Sequence, residues 1–210
     1  MRELILIGGG GHARSVIDVV ESAGDFRIMG IADRKEKIGE KVLNYVIIAA
    51  DSQLASLVNN DRNFLLTVGQ VETAETRVRL DRELKQVGGK LARVVSPLAR
   101  ISDYATIAEG AVVMHFALVN AGAQVGRNVI INTRAVVEHD AVVGDFCHIS
   151  TGAILNGGVK VGNQVLVGSQ ATVRQGIEIA NNVTIGAQSY VNQDILEAGV
   201  YVGVPARRIR

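Results

Sequence analysis

From Val95 to Val191, every sixth residue of the chain is valine, isoleucine or leucine, without interruption. Four residues after each of these positions comes a second small or apolar residue, as in Ala99, Ala105 and Ala111. Neither the helical period of 3.6 nor the strand period of 2 produces this spacing. A six-residue repeat is typical of a parallel β-helix, in which each short strand turns a corner into the next and three strands close one coil of about 18 residues. We therefore predict a β-helix over residues 93–210.

The N-terminal part of the chain follows a different pattern. Apolar runs that read as strands alternate with helical stretches, the strands over 3–8, 26–32, 45–49 and 64–68 and the helices over about 12–23, 51–59 and 71–87. Such alternation favours a small parallel sheet with helices on both faces. We predict an α/β, Rossmann-like domain over residues 1–92.

Composition excludes several classes of function. Lys and Arg number 22 and Asp and Glu number 21, for a formal charge of +1, which provides no electrostatic footprint for nucleic acid or a membrane surface. The single cysteine, Cys147, cannot form an internal disulfide and favours a reducing compartment. With no cleavage-site pattern and no stretch that approaches a spanning helix, we expect a cytoplasmic protein.

A glycine-rich turn is the first candidate site. Gly8, Gly10 and Ala13 follow a predicted strand and open a helix, and Asp33 ends the next predicted strand. Glycines allow close approach of a phosphate to backbone amides, and an acid at this distance accepts from a ribose or a base. Because the domain is short for a dinucleotide, a mononucleotide or nucleotide-sugar fits better, with His12 contacting phosphate or sugar. A tight turn without a ligand and a literal NAD site remain alternatives.

A run of charged residues in the repeat is the second candidate. His139 lies between Glu138 and Asp140, and His148 follows nine residues later. A neighbouring carboxylate raises imidazole basicity and selects one tautomer. One coil away on either side of His139 stand Ala121 and Gly157, both small, so we expect a gap beside the imidazole where a substrate could lie. A structural role remains the alternative for both histidines.

Spacing also predicts how the two histidines are arranged. His148 interrupts an otherwise apolar column between Ile130 and Leu166, and nine residues is half a coil, so His139 and His148 cannot stack on one face of one chain. If both serve one site, they come from different subunits of a trimer, which would also bury the unpaired faces of a short β-helix. A three-histidine zinc site would need a tighter pattern, so we expect no metal.

Three segments together resemble a known family: ILIGGGGHARSVIDVV near the start, VVEHDAVVGDFCHIS in the repeat and GVYVGVPARRI at the end. They are similar to the bacterial sugar O-/N-acyltransferases of the sialic acid O-acetyltransferase group, above all the UDP-4-amino-sugar N-acetyltransferases of the bacillosamine pathway. The resemblance implies a left-handed β-helix, a homotrimer with active sites between subunits, acetyl-CoA as co-substrate and a nucleotide-sugar acceptor. It implies His139 as general base, Asp140 as the acid beside it, and an acetyl-CoA site with His148, Ser169 and Ala187.

For the nucleotide-sugar, the resemblance implies contacts by Gly10, Gly11, His12, Ala32 and Asp33. Two positions depart from the pattern. Asp140 stands where close members have glutamate, so the shorter side chain must reach the imidazole in another way, and Ala32 stands where some members have a second acid. The expected function is N-acetylation of the 4-amino group of a UDP-linked amino-sugar. The alternatives are O-acetylation of sialic acid or another surface-polysaccharide sugar, an NAD-linked oxidoreductase and a non-catalytic trimeric scaffold.

Overall fold

The computed structural model describes residues 1–70 and 73–210. They form two compact units. The first contains residues 1–69 and 75–95, and the second contains residues 70, 73–74 and 96–210. None of the helices in these described ranges is long and apolar enough to cross a membrane.

The first unit is built on a six-stranded sheet. Its strands are β1 (Arg2–Ile7), β2 (Phe26–Asp33), β3 (Lys41–Val42), β4 (Tyr45–Ala50), β5 (Arg62–Leu66) and β6 (Lys90–Leu91). In space their order is β3-β4-β2-β1-β5-β6, and every neighbouring pair is parallel except β3 with β4. Leu4 to Ile7 are at most 1% exposed, as expected of a central parallel strand covered on both faces. The predicted Rossmann-like class is confirmed.

The described residues of this unit contain three α-helices: α1 (Gly11–Ala23), α2 (Leu54–Leu57) and α3 (Glu75–Gln86). Helix α1 buries one apolar stripe, including Val16, Ile17 and Val20, and ends at Gly24, whose φ of 71° is the left-handed conformation that glycine adopts at no steric cost. The helix predicted over 51–59 is instead a 3₁₀ turn, Asp51–Gln53, followed by the single turn of α2. The start of the helix predicted over 71–87 lies outside the described residues.

The second unit is a β-helix, preceded by β7 (Val94–Val95) at the end of the first unit. Up to β23 its strands recur every six residues, and they are β8 (Arg100–Ile101), β9 (Thr106–Ile107), β10 (Val112–Val113), β11 (Leu118–Val119), β12 (Gln124–Val125), β13 (Ile130–Ile131), β14 (Val136–Val137), β15 (Val142–Val143), β16 (His148–Ile149), β17 (Ile154–Leu155), β18 (Lys160–Val161), β19 (Leu166–Val167), β20 (Thr172–Val173), β21 (Glu178–Ile179), β22 (Val183–Ile185) and β23 (Tyr190–Val191). Two further strands, β24 (Gly199–Val202) and β25 (Arg207–Arg208), follow at wider spacing.

These strands form three faces. The first face contains β10, β13, β16, β19, β22 and β24, the second contains β8, β11, β14, β17, β20 and β23, and the third contains β9, β12, β15, β18 and β21. Neighbours within a face are parallel, and up to β23 they are 18 residues apart, as in the pairing of Ile130 with His148 and of His148 with Leu166. Only β25 runs antiparallel, against β24, within the described strands of this unit. The predicted left-handed parallel β-helix is confirmed.

Both apolar series of the repeat point inward. From Val113 onward every member of the first series is at most 4% exposed, and from Ala111 to Ile195 every member of the second is at most 5% exposed. Cys147 belongs to the second series and is a buried thiol that forms no disulfide, and its Sγ contacts the carbonyl oxygen of Gly162 at 2.9 Å. Since it is completely enclosed, this thiol is part of the core.

The corners of the β-helix use one left-handed residue every six positions. The residues with positive φ run without interruption through Gly110, Phe116, Gly122, Asn128, Arg134, Asp140, Phe146, Gly152, Gly158, Gln164, Gln170, Gly176, Asn182 and Gln188. Each non-glycine member accepts a conformation that costs most residues about 1 kcal/mol and that Asn and Asp tolerate best. The corner conformation is therefore imposed by closure of the coil and not by the local residue type.

Candidate active site

His139 and Asp140 lie together at the corner between β14 and β15. Their side chains are 63% and 74% exposed, and His139 Nδ1 lies 2.9 Å from Asp140 Oδ2. Asp140 is the left-handed residue of this corner, with φ of 59°. That backbone turn brings the short aspartate side chain back onto the neighbouring imidazole. The departure from glutamate noted in the sequence is thus accommodated by the corner itself.

The Asp140 contact selects one tautomer of His139. An ionised carboxylate only accepts hydrogen bonds, so Nδ1 carries the proton and Nε2 keeps its lone pair. An imidazole in this state can accept a proton at Nε2 while Asp140 holds the ring orientation and faces the positive charge that develops. The pair therefore has the arrangement of a general base with its orienting acid.

The His139 imidazole lies against Gly157, which is one coil further along the chain. A Cβ atom added to Gly157 would overlap Nε2 of His139 and lie 2.5 Å from Cε1. The amide of Gly158 donates to the carbonyl oxygen of His139 at 2.9 Å, which joins the two coils. The expected gap next to Gly157 is accordingly filled by the imidazole itself, because a ring at this corner folds over the adjacent coil.

An open groove runs along this corner of the β-helix. It is lined by Glu138, His139, Asn156, Gly157, Gln175 and Gly176, all of which belong to the second unit. Within the groove Asn156 is held in place by donation from its Nδ2 to the carbonyl oxygen of Val173 at 2.7 Å. His139 therefore borders an open surface of the β-helix.

Glu138 is held by a residue that sequence reasoning missed. Asn120, one coil earlier, donates from Nδ2 to Glu138 Oε2 at 2.7 Å, and the His139 amide approaches the same oxygen at 3.3 Å. Asn120 is itself oriented, because its Oδ1 accepts from the Ala121 amide at 2.8 Å. A step of 18 residues back from Glu138 leads directly to Asn120, so the repeat contained the signal that would have found it.

His148 lies in a different environment, on the first face in β16. It is 8% exposed, its Nε2 lies 3.1 Å from Asn132 Nδ2, and its Nδ1 lies 3.3 Å from the carbonyl oxygen of Gln70. Because Asn132 Oδ1 accepts from the Thr133 amide, Nδ2 is the donor and His148 Nε2 the acceptor, which places the proton on Nδ1. The specific partners expected for this histidine in its apolar column are Asn132 and Gln70.

Ser169 and Ala187 occupy equivalent corners on successive coils. Both are exposed, Ser169 after β19 and Ala187 after β22, and the Gln188 amide donates to the Ser169 carbonyl oxygen at 2.9 Å. His148 belongs to the same face as these strands, whereas His139 lies at the corner between the second and third faces. His148, Ser169 and Ala187 are therefore separated from the His139 corner within one chain.

The glycine loop has the backbone shape expected of an anion site. Gly10 is the N-cap of α1 without a side-chain cap, and a Cβ at Gly10 or Gly11 would have no atom within 4 Å. Gly8 has φ of 108°, and a Cβ there would lie 2.5 Å from Val68 Cγ2. Gly10 and Gly11 thus border open space at the start of α1, where the positive end of the helix dipole lies.

Asp33 closes this loop. Its Oδ2 accepts from the Gly9 amide at 2.8 Å and from Lys37 Nζ at 3.0 Å, and its Oδ1 accepts from the Arg34 amide at 2.7 Å. Burial alone would raise the pKa of Asp33, but the hydrogen bonds from Arg34, Lys37 and Gly9 outweigh it and hold the pKa below its usual range. The carboxylate is consequently ionised and engaged with the loop.

The other two predicted residues of this loop are more enclosed. Ala32 is completely buried in β2, and its carbonyl oxygen accepts from the Gly8 amide at 2.8 Å. His12, in the first turn of α1, packs against Gly69, where an added Cβ would lie 3.3 Å from the His12 Cβ. Burial, together with the nearby Arg77 guanidinium, lowers the pKa of His12 to about 4, so this imidazole is neutral at pH 7. Nothing in the sequence indicated that Arg77 lies near His12.

No group of three or more His, Cys, Asp or Glu side chains suited to a metal ion occurs among residues 1–70 and 73–210. The polar residues of both candidate sites are instead held by backbone amides, carboxylates and carboxamides.

Comparison with known proteins identifies the family. The family model described as PglD N-terminal domain matches residues 3–79, and the model described as bacterial transferase hexapeptide (six repeats) matches residues 158–193. No curated protein matches the chain.

Several solved structures are similar over the whole chain. The acetyltransferase domain of PglB from Neisseria gonorrhoeae FA1090 in complex with acetyl coenzyme A is 30% identical, with 99% of each chain covered and a TM-score of 0.90. PerB from Caulobacter crescentus in complex with CoA and GDP-perosamine is 31% identical, with 99% of this chain and 97% of that chain covered and a TM-score of 0.92. WeeI from Acinetobacter baumannii AYE, 20% identical over 100% of both chains with a TM-score of 0.88, shares the fold.

A Rossmann-like unit followed by a left-handed β-helix, with a histidine–carboxylate pair at a corner, defines a hexapeptide-repeat acyltransferase. The chain belongs to the bacterial sugar O-/N-acyltransferase family, in the branch of the bacillosamine-pathway N-acetyltransferases. It is an amino-sugar acetyltransferase whose co-substrate is acetyl-CoA.

Proposed function

We propose that this chain transfers the acetyl group of acetyl-CoA to the 4-amino group of a UDP-linked amino-sugar, with His139 as general base. The observation that carries this proposal is the 2.9 Å contact between His139 Nδ1 and Asp140 Oδ2 at the edge of an open groove. It leaves Nε2 unprotonated, over Gly157, beside the surface where the substrates would meet.

The transfer is direct and needs no covalent enzyme intermediate. Binding in the groove holds the acceptor nitrogen against the thioester carbon, which makes the reaction effectively unimolecular. His139 Nε2 takes a proton from the nitrogen as the carbon–nitrogen bond forms, and Asp140 faces the imidazolium. The carbon–sulfur bond then breaks, and the CoA thiolate takes up the proton that His139 carried.

The oxyanion of the tetrahedral intermediate requires a donor, for which the sequence leaves a glycine-rich corner and His148 as candidates. Both ring nitrogens of His148 are engaged within the chain, by Asn132 and Gln70. The amide of Gly158 is also used, since it donates to His139. We therefore propose the Gly157 amide for this role, because Gly157 is the residue that the imidazole lies against.

For acetyl-CoA we propose the corner that carries Ser169 and Ala187, with the pantetheine arm along these two exposed positions. His148 lies on the same face and would contact the co-substrate in one of two ways. Either the exposed edge of its ring touches the co-substrate, or the hydrogen bond between Nδ1 and the Gln70 carbonyl oxygen breaks and Nδ1 donates to the co-substrate instead. Since this corner differs from that of His139, we propose a homotrimer in which one subunit supplies His139 and its neighbour supplies the acetyl-CoA positions.

For the nucleotide we propose that phosphate binds the open amides of Gly10 and Gly11. His12 would act there as a neutral hydrogen-bonding group, in keeping with its lowered pKa of about 4. Ala32 and Asp33 would shape the loop, with the remaining lone pairs of Asp33 available to the ribose or base. We place the reaction in the cytoplasm, in agreement with a single cysteine, Cys147, that forms no disulfide.

The decisive experiment measures consumption of the acetyl-CoA thioester with a panel of UDP-, GDP- and CMP-linked 4-amino-sugars and the matching 4-hydroxyl sugars. We expect the UDP-linked amine to be consumed fastest. Preference for the GDP-linked amine, the sugar bound in the PerB structure, would correct the nucleotide alone. Transfer to hydroxyl sugars or sialic acid without transfer to amines would contradict N-acetylation. Sedimentation of the same preparation tests the trimer.

A further inference from the structure

The carboxylate of Glu138 is the one charged group of the groove whose role the transfer step leaves unassigned. Glu138 Oε2 accepts from Asn120 Nδ2 at 2.7 Å and is approached by the His139 amide at 3.3 Å. Both contacts use the same oxygen, and the side chain lines the groove beside the base. The carboxylate is thus held with its second oxygen available to a molecule in the groove.

The charge of an amine acceptor indicates what the Glu138 carboxylate could bind. An amine on a sugar has a pKa of about 8, close to that of an α-amino group, and enters mostly as an ammonium ion at pH 7. A hydroxyl at the same position is neutral. A fixed carboxylate next to the base therefore favours an acceptor that carries an ammonium over one that carries a hydroxyl.

We propose that Glu138, positioned by Asn120, binds the ammonium form of the acceptor and makes the site selective for amines over hydroxyls. This inference rests on the proposed function and deepens it, because it names the residue that distinguishes N- from O-acetylation. Glu138 is a substrate-binding residue here, and Asn120 is a positioning residue that acts through it.

The proton balance of the transfer is consistent with this role. The acceptor binds as an ammonium ion and releases one proton to solvent. Its freed lone pair forms the carbon–nitrogen bond, and His139 takes the second proton. When the carbon–sulfur bond breaks, that proton passes to the CoA thiolate. The products are the amide, the CoA thiol and one proton in solvent. Because a carboxylate favours the charged amine, Glu138 strengthens binding and does not speed the deprotonation, so it affects KM more than kcat.

The test compares wild type with Glu138→Gln on a nucleotide-linked 4-amino-sugar, using the nucleotide that the panel selects. We expect KM for the amine to rise about tenfold at pH 6.5, the lower end of what a hydrogen bond to a charged group contributes, with kcat within about threefold. The increase should shrink as the pH rises through 8 to 9, where the amine is neutral in solution. A purely structural effect would be independent of the protonation state of the acceptor.

A matched ligand and a matched variant complete the design. The corresponding 4-hydroxyl nucleotide-sugar, used as a competitive inhibitor, should bind wild type and Glu138→Gln equally well. Glu178→Gln makes the same chemical change on the third face, where Glu178 pairs with Lys160 at 2.7 Å, and should leave KM unchanged. Asn120→Ala should raise KM in the wild-type background and add little in the Glu138→Gln background, since it acts through Glu138.

Two results would overturn the inference: an unchanged KM for the amine in Glu138→Gln, or equal weakening of the amine and the hydroxyl analogue. Should Glu138→Gln fail to fold, Asn120→Ala, which retains the carboxylate, answers the same question. Failure of the proposed function is a separate result, namely a folded wild-type protein that acetylates no amine at all.

Discussion

His12 in the first unit and His139 in the second are the same residue type in two different environments, which differ in burial and in the charge of the neighbouring group. His12 begins a helix that packs on a parallel sheet, so its ring is largely enclosed, and burial with the Arg77 cation lowers its pKa to about 4. His139 stands at a solenoid corner with its side chain 63% exposed, and its charged neighbour is the anion Asp140. His12 is kept neutral at pH 7 by its surroundings, whereas His139 lies largely in solvent with a carboxylate as its hydrogen-bond partner.

The difference follows from where each architecture leaves polar groups. A strand-to-helix turn in a parallel sheet presents backbone amides, as at Gly10 and Gly11, while nearby side chains pack inward. A β-helix corner pairs its amides with the adjacent coil, as Asp140 does with Ala121, and presents side chains to solvent. We infer that the first region binds its ligand mainly through the backbone and the second performs its chemistry through side chains.

Replacing His139 by alanine is the strongest way to break this comparison. Since the variant lacks the proposed general base, kcat should fall about 10²- to 10⁴-fold. Affinity for acetyl-CoA should stay close to that of wild type, because the acetyl-CoA positions lie at another corner. Turnover by mass spectrometry and acetyl-CoA binding by calorimetry measure the two effects. Near-normal turnover would remove His139 from the mechanism.

The environment of His12 predicts a pH dependence of stability. Its pKa is about 4 in the folded state and about 6.5 in the unfolded chain, so between these values the unfolded state binds a proton that the folded state does not. Stability is therefore fully present above pH 6.5 and is lost as the pH falls toward 4, by about 3 kcal/mol at most.

Urea unfolding at pH 7, 5.5 and 4.5 tests this dependence. His12→Gln and His12→Asn cannot titrate in this range, so both should lose less unfolding free energy than wild type on acidification. Equal pH slopes in wild type and both variants would show that His12 titrates normally in the folded protein, and the contrast with His139 would disappear.

The repeat made most of the second unit predictable from the sequence. An uninterrupted apolar hexad leaves few other ways to bury its residues, and Val113, Val137 and Val173 all point inward as expected. The 18-residue step also placed Gly157 next to His139 and Ile130 next to His148. A long-range register of this kind is readable because each coil repeats the geometry of the last.

Local residue preference was a weaker guide. Glycine, aspartate and asparagine are the residues that most readily adopt a left-handed turn, yet after Gly144-Asp145 and Gly162-Asn163 the left-handed residue is the next one, Phe146 or Gln164. Closure of the coil decides which residue takes the left-handed conformation. Gly144 and Gly162 are needed for another reason, because an added Cβ would lie 2.6 Å or 2.5 Å, respectively, from a side-chain oxygen of the next coil. Close approach between coils is a property that a single sequence does not display.

In the first unit, contacts between distant residues limited the prediction. The sequence places Asp33 near the glycine loop, but it cannot show that the carboxylate is engaged by Gly9, Arg34 and Lys37. Likewise, nothing in its spacing marks Arg77 as the cation near His12. A non-repeating fold brings such residues together only through its tertiary packing.

Gly157→Ala tests whether the coil register positions the base. Gly157 does not have a left-handed backbone, so alanine strains no backbone angle, but its Cβ would overlap His139 Nε2. The displaced imidazole should lower kcat about 10- to 100-fold, the range that a misplacement of about 1 Å produces. The melting temperature should stay within a few degrees of wild type, because the ring can swing into solvent. An unchanged kcat would mean that the ring position seen here is not the catalytic one.

Asp140→Asn has the smallest expected effect on kcat, and it is the most informative test of the contrast between His139 and His12. Asparagine tolerates the left-handed corner, and its carbonyl oxygen can still accept from His139 Nδ1, so geometry and tautomer persist while the negative charge is removed. For a pair as exposed as this one, we expect kcat to fall only about fivefold, with the difference from wild type narrowing in high salt. Asp140→Ala, which also removes the acceptor, should fall further. A loss of 100-fold or more in Asp140→Asn, insensitive to salt, would mean that the pair is shielded from water when the enzyme works. His139 would then resemble His12 in its enclosure, and the contrast between the two regions would depend on the sign of the neighbouring charge alone.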